Sequence, residues 1–271
     1  WSQEGDLVVA GGEGGILDGS VSPPWINTFE ITKYLMLFDP AAPSQPFELA
    51  ASLYPGEVGC WKTAPNLELL VGRWYPTVTL SQKLTRNGLD NEVVMVSGGS
   101  DFATNQVLNT YESFVVRASN SPAGFLTRDP DHGNPIQVLP GPGGTLNPNQ
   151  REILGLYPRV HLLSTGDMFV SGYGPDASRF NLNAPLATRT WNRTVGRVGS
   201  NWNDLRENGA SIFYGRMAGG TLEDIVVRFG GWNGIFLPTD AAEACIASSA
   251  AAPWMSLPAI PGNAAGTLGR T

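Results

Sequence analysis

The sequence is poor in charge, cysteine and histidine. Only 15% of its 271 residues are charged, and it carries two cysteines and two histidines. Two cysteines exclude a scaffold stapled by many disulfides. The histidines, His132 and His161, share no ligand spacing, so they define no metal site by themselves. Long apolar runs are missing as well, so no helical membrane span is expected. Helical periodicity is nearly absent; only the alanine-rich stretch 243–252 suggests a helical turn or two. The net charge is −7 and the pI about 4.8. A surface of that sign does not attract nucleic acid or anionic membrane.

Glycine (33) and proline (21) are abundant, and 42% of the residues are hydrophobic. That is the composition of a folded chain with many turns between short strands. The length suits one large all-β domain or two ordinary ones, with enough chain to bury a core. The first residue is Trp1, not Met. The expectation is that a leading segment has been removed or that the sequence is part of a longer chain. Low lysine and frequent Trp, Asn, Gly and Pro fit a secreted, extracellular protein.

Against this background one pattern recurs: an apolar strand, a turn with Gly or Asp, a second apolar strand, then Gly or Gly-Gly. The clearest copy runs from Gly72 to Asp101. It contains Thr77-Val78-Thr79-Leu80, a turn at Asn87-Gly88, and Glu92-Val93-Val94-Met95-Val96-Ser97 ending in Gly98-Gly99. Two β-branched runs around a turn predict a β-hairpin. Paired glycines admit positive φ and close approach by another backbone. Other copies lie at Leu7–Gly12, with a partner strand at Tyr34–Phe38, at Leu156–Gly172, and at Gly209–Gly231. Loops are expected over 13–27 and 41–70, and further strands at Leu108–Phe114 and Ala177–Leu182.

The glycine marks Gly11, Gly98, Gly172 and Gly230 are 87, 74 and 58 positions apart. Those spacings exceed the roughly 50 residues of a kelch blade, and loop insertions account for the excess. The fold expected is all-β: a kelch-like β-propeller of four-stranded antiparallel blades, with about four blade-like repeats over 1–271. A β-sandwich of hairpins is the alternative.

Arg73-Trp74-Tyr75-Pro76-Thr77, followed by a valine-rich strand and Gly98-Gly99-Ser100, resembles the second blade of glyoxal oxidases and galactose-oxidase-like proteins. Tyr157-Pro158-Arg159-Val160-His161-Leu162-Leu163 resembles a later blade, and Gly5–Gly12 the first. Cys60-Trp61, and Cys245 before Pro253-Trp254, fall in family-like order. The family are copper radical oxidases. The resemblance implies oxidation of a small aldehyde or alcohol by O₂, with release of hydrogen peroxide. It implies that Tyr75 is a copper ligand and the radical-storing catalytic residue, since a phenolate suits Cu(II).

The rest of the family's site is not in this sequence. Its cross-linking cysteine would precede Trp1, and its second tyrosine and both histidines would follow Thr271. The aromatic cover of the radical would fall near Asp101. Four repeats do not close a seven-bladed ring, so the remainder of the propeller, or another chain, is expected to complete it. Copper follows only if that remainder supplies the missing ligands, which leaves enzyme activity open.

Other residues carry two readings each. Cys60 and Cys245 are either a disulfide or two buried thiols, and an oxidising compartment favours the bridge. Asn192-Arg193-Thr194 is an N-glycosylation sequon. His161 alternates with apolar residues as a packed, hydrogen-bonded histidine does, and His132 lies in a polar turn. Asp6, Asp167 and Asp224 read as turn residues before they read as Ca²⁺ ligands. Gly11–Gly15 lacks the Lys-Ser/Thr and the helix of a phosphate loop. The functional alternative is a non-catalytic extracellular propeller serving as a structural, assembly, carbohydrate-binding or protein-binding module.

Overall fold

The computed structural model describes residues 7–11, 13–18, 25–31, 34–38, 61–80, 84–86, 89–101, 106–108, 110–116, 126–128, 136–137, 154, 157–171, 177–181, 192–195, 209–231, 241–249 and 253–258. The chain is all-β: no helix occurs among these residues, so none there is long and apolar enough to cross a membrane. The strands form antiparallel sheets built largely on three- and four-strand paths. Contacts divide the chain into two compact units, residues 1–106 with 110–136, and residues 107–109 with 137–271.

The first unit opens with β1 (Leu7–Ala10), β2 (Glu13–Asp18), β3 (Trp25–Ile31), β4 (Tyr34–Phe38) and β5 (Trp61–Glu68). β1, β4 and β5 form one sheet, with Leu7 opposite Phe38. Two stretches expected as loops contain strands. β2 lies inside 13–27 and pairs with β3, which begins at Trp25 and runs on to Ile31, and β5 lies inside 41–70. Gly and Pro mislead there because a strand edge tolerates both when its partner supplies the register.

β6 (Thr77–Leu80), β7 (Leu84–Arg86), β8 (Leu89–Ser97), β9 (Ser100–Asp101), β10 (Gln106–Val107), β11 (Thr110–Val116), β12 (Leu126–Arg128) and β13 (Ile136–Gln137) follow. The order β12-β11-β8-β6 makes a four-strand meander. The predicted hairpin is present, with its first arm in two pieces. β6 pairs with the end of β8 (Thr77 opposite Ser97), and β7 with its start (Arg86 opposite Leu89). Alternation puts Val78 and Val96 on one face, where they join Val8, Ala10, Leu69, Phe114 and Val116 in a core cluster. Val93, Met95, Tyr111 and Val115 are also buried. A strand buried on both faces reads as a continuous apolar run, as Val93–Val96 does.

The second unit holds β14 (Val160–Leu162), β15 (Met168–Val170), β16 (Ala177–Phe180), β17 (Asn192–Val195), β18 (Ala210–Ala218), β19 (Thr221–Phe229), β20 (Ala242–Ile246) and β21 (Met255–Leu257). They form two four-stranded meanders, β14-β15-β16-β17 and β18-β19-β20-β21. Leu163, Phe169 and Ala177 pack with Val226, Cys245, Ala247 and Trp254.

Turn chemistry fixes the hairpins. In the Ser164–Asp167 turn the Gly166 amide donates to Leu163 O and the Leu163 amide to Asp167 O, both at 2.9 Å. Gly219 and Gly220 both have positive φ, as a two-residue hairpin turn requires. The alanine-rich stretch is not helical where it is described. Residues 242–246 are strand β20, with Ala242, Ala244 and Cys245 buried between β19 and β21. Alanine's helix preference is weak and yields to this packing.

Three of the four glycine marks, Gly11, Gly98 and Gly230, have positive φ; Gly172 lies outside the described residues.

Candidate functional site

The segment Arg73–Pro76 enters the β6 sheet through a buried charge. Arg73 and Glu112 are fully desolvated, with Nη2 and Oε1 3.2 Å apart. Arg73 Nη1 donates to Gly98 O (2.8 Å) and Thr110 O (3.1 Å), and Nη2 to Thr110 Oγ1 (3.0 Å). Glu112 Oε2 accepts the Leu70 amide at 2.8 Å. One guanidinium thus ties the strand exit of β8 to β11 and to its own entry loop. Burial pulls the Arg73 pKa below its ordinary value, opposed by the charge and hydrogen bond of Glu112. Removal of either partner leaves an uncompensated buried charge.

Two glycines clasp the same segment. A Cβ on Gly11 would sit 2.6 Å from Arg73 O and 2.9 Å from Pro76 Cγ. One on Gly99 would sit 2.7 Å from Trp74 O. Both glycines have positive φ. The Gly-Gly strand exit therefore makes room for the Arg-Trp-Tyr-Pro backbone to pass.

Held this way, Tyr75 takes φ 58°. That is unusual for a bulky residue and costs about 1–3 kcal/mol. Its ring stacks on Trp74 at 4.2 Å between centroids and 24° between planes. Tyr75 is 36% exposed, although Arg73 two residues earlier is wholly buried. The arrangement spends backbone strain to present a phenol at the surface from a rigid base. Tyr157, also followed by proline and also at the entry to a meander, has φ 49° and is exposed. The same Tyr-Pro device occurs in both units.

The second unit has its own buried ion pair. Arg228 Nη2 lies 2.9 Å from Glu243 Oε2, and Nη1 donates to Ser171 O at 3.0 Å. The Arg228 guanidinium carbon stands 3.8 Å above the Trp254 ring, a desolvated cation–π contact. Nearby, His161 Nε2 is 2.7 Å from Ser211 Oγ, which is 3.0 Å from Ser171 Oγ. The imidazole also stacks on Phe213. His161 is therefore the packed, hydrogen-bonded histidine that its alternation suggested. Burial and the positive charge of Arg159 push its pKa down to about 4, so it is neutral at neutral pH.

The other sequence candidates take up places within their own strands and turns or lie outside the described residues. Cys245 is a free thiol on β20, buried in the apolar cluster, with its pKa pushed up to about 12 by burial. The expected bridge is not made at this end: Cys245 sits in a packed strand among Leu163, Phe169 and Trp254. Cys60, His132 and Asp6 lie outside the described residues. Asn192 opens β17. Asp101 is in β9.

Asp167 is a turn residue, as expected. Asp224 is not. It is buried on β19, where Oδ2 accepts the Ser164 amide (3.1 Å) and hydroxyl (2.8 Å), tying two sheets together. Among the described residues no three His, Cys, Asp or Glu side chains gather as a metal site. Tyr75 fits copper as one oxygen donor; it is not a ligand set.

Sequence reasoning passed over both buried ion pairs. A signal was available: Glu112 and Glu243 are single charges inside otherwise uncharged strands, and Arg228 directly follows the apolar run Ile225–Val227.

A scan against models of known protein families finds no match for this chain. A search of curated proteins finds none either.

Proposed function

We propose that the chain is the propeller portion of a secreted protein of the glyoxal-oxidase or galactose-oxidase kind. In this reading the repeated meanders are blades of a kelch-like ring that the rest of the polypeptide, or another chain, completes. The observation that carries it is Tyr75: a strained, surface-presented phenol on a rigid buried base. Such strain is retained where a side chain must be held ready. Copper, once bound, would supply the one-electron chemistry and O₂ activation. This chain contributes one oxygen donor, the stacked Trp74 beside it, and the Arg73–Glu112 base that fixes both. The remaining ligands lie elsewhere, so no catalytic step is assigned to residues 1–271 alone.

The test is peroxide release by the whole protein with methylglyoxal and galactose as substrates, together with its copper content. Peroxide that depends on copper supports the reading. A whole protein without copper, and without peroxide on either class, overturns it.

The second reading is a non-catalytic extracellular propeller used in structure, assembly or binding. Asp101 on β9 favours it, because it stands where the aromatic cover of the radical would fall in the family's site. Unchanged partner binding in a Tyr75→Phe variant would discriminate in its favour.

A further inference from the structure

Away from Tyr75, three side chains form one hydrogen-bonded line in the second unit. Ser171 Oγ lies 3.0 Å from Ser211 Oγ, and Ser211 Oγ lies 2.7 Å from His161 Nε2. Ser171 directly follows β15, Ser211 is the second residue of β18, and His161 is the middle residue of β14. A hydroxyl this close to an imidazole is activated as a nucleophile when the ring is neutral and the hydroxyl can be reached.

Both conditions are met. Burial and the charge of Arg159 keep a second proton off the ring. Ser211 is half-buried and Ser171 fully buried, so Ser211 is the hydroxyl within reach. Phe213, two positions further along β18, lies on the same strand face as Ser211. Its ring stacks on the imidazole and is 38% exposed, which places an apolar wall beside the hydroxyl.

We propose that Ser211 is a nucleophile and His161 its general base, in a site for small carboxylic esters with an apolar acyl group. The direction of the hydrogen-bonded line favours this over a purely structural contact. With the ring proton on Nδ1, Nε2 accepts from Ser211 and Ser211 accepts from Ser171, at 2.7 and 3.0 Å. In the reverse direction Nε2–H donates to Ser211, and the line must end on Arg159 O, 3.3 Å from Ser171 Oγ. An O–H···O bond prefers about 2.7–2.8 Å, so the reverse line ends on a poor bond that the forward line does not use.

In the reaction, Ser211 Oγ attacks the ester carbonyl carbon as its proton passes to His161 Nε2. The bond from carbon to the alcohol oxygen breaks, and the alcohol leaves with that proton. Water then attacks the acyl-serine and gives a proton to Nε2. The acyl–Oγ bond breaks, the acid departs, and Oγ takes the proton back. The positive charge of Arg159 beside His161 is of the sign that stabilises the oxyanion formed in each half. The site is independent of copper and of Tyr75.

A fluorophosphonate probe and p-nitrophenyl butyrate test this on the whole protein. Ser211 Oγ displaces fluoride from phosphorus, so peptide mapping is expected to find the adduct on Ser211, with ester turnover lost in step. Ser211→Ala removes labelling and turnover, and His161→Gln slows both about 100-fold or more, with unchanged circular dichroism. Should His161→Gln unfold, the pH profile of the wild type decides: labelling steps up near pH 4, where the buried ring loses its proton, and not near its ordinary 6.5. An unlabelled Ser211, labelling without ester turnover, labelling indifferent to His161→Gln or, in the fallback, a profile without that step overturns the proposal.

Discussion

Arg73 and Glu112 meet 3.2 Å apart where neither side chain is exposed, and the same guanidinium grips the carbonyl of Gly98. The contact links the residue that opens the Arg-Trp-Tyr-Pro motif to the glycine pair that ends the central strand. Glu112→Ala strands a buried cation and is expected to cost about 3–5 kcal/mol. Glu112→Gln keeps one acceptor and should cost less. Denaturant melts of both variants check the order. Equal and small losses would mean that the charge is not buried as described.

Gly11 and Gly99 make room for that segment. Gly11→Ala or Gly99→Ala places a methyl against Arg73 O or Trp74 O and forces an alanine to positive φ. Each is expected to lower stability by about 2 kcal/mol or more. Each should also alter the near-ultraviolet signal of the Trp74–Tyr75 stack. Gly219→Ala has nothing near its added methyl. It should cost only its conformational strain, about 1–2 kcal/mol, and leave that signal alone.

His161 makes stability depend on pH in a defined direction. Its folded pKa, about 4, lies below its ordinary value of 6.5. Between those values the unfolded chain binds the extra proton. The contribution is therefore complete above pH 6.5 and is lost as pH falls towards 4, to a total of about 3 kcal/mol. Unfolding measured from pH 7.5 to 4 should show this slope, and His161→Gln should remove it. A slope unchanged in the variant would assign it to carboxylates.

Cys245 should be chemically silent. Burial disfavours its thiolate. Iodoacetamide is expected to leave it unmodified in the folded protein and to label it after unfolding without reductant. Labelling of Cys245 only after reduction would restore the Cys60–Cys245 bridge.

Much of the strand pattern was legible because it rests on local chemistry. Val93–Val96 announces a buried strand, Gly98-Gly99 its exit, and Ser164–Asp167 a turn. The fourth strands of the meanders, β17 and β21, were not legible, since short runs such as Met255–Leu257 become strands only through their neighbours. β20 was misread because alanine spacing carries no record of the β19 and β21 partners that override it. At the site, Tyr75 was visible as a motif residue. Its positive φ was not, because it arises from the non-local meeting of Gly11, Gly99 and Arg73. The role of Glu112 in fixing Arg73 is non-local for the same reason.

The proposed role of Tyr75 is that of a metal-ligating, oxidisable phenol. Its most direct test is electron paramagnetic resonance and copper content of the whole protein, wild type against Tyr75→Phe. Bound Cu(II) is expected in the wild type and a changed Cu(II) spectrum in the variant. Peroxide release should be lost in the variant, while circular dichroism stays the same. A variant with the same copper spectrum and the same peroxide release as wild type would contradict it.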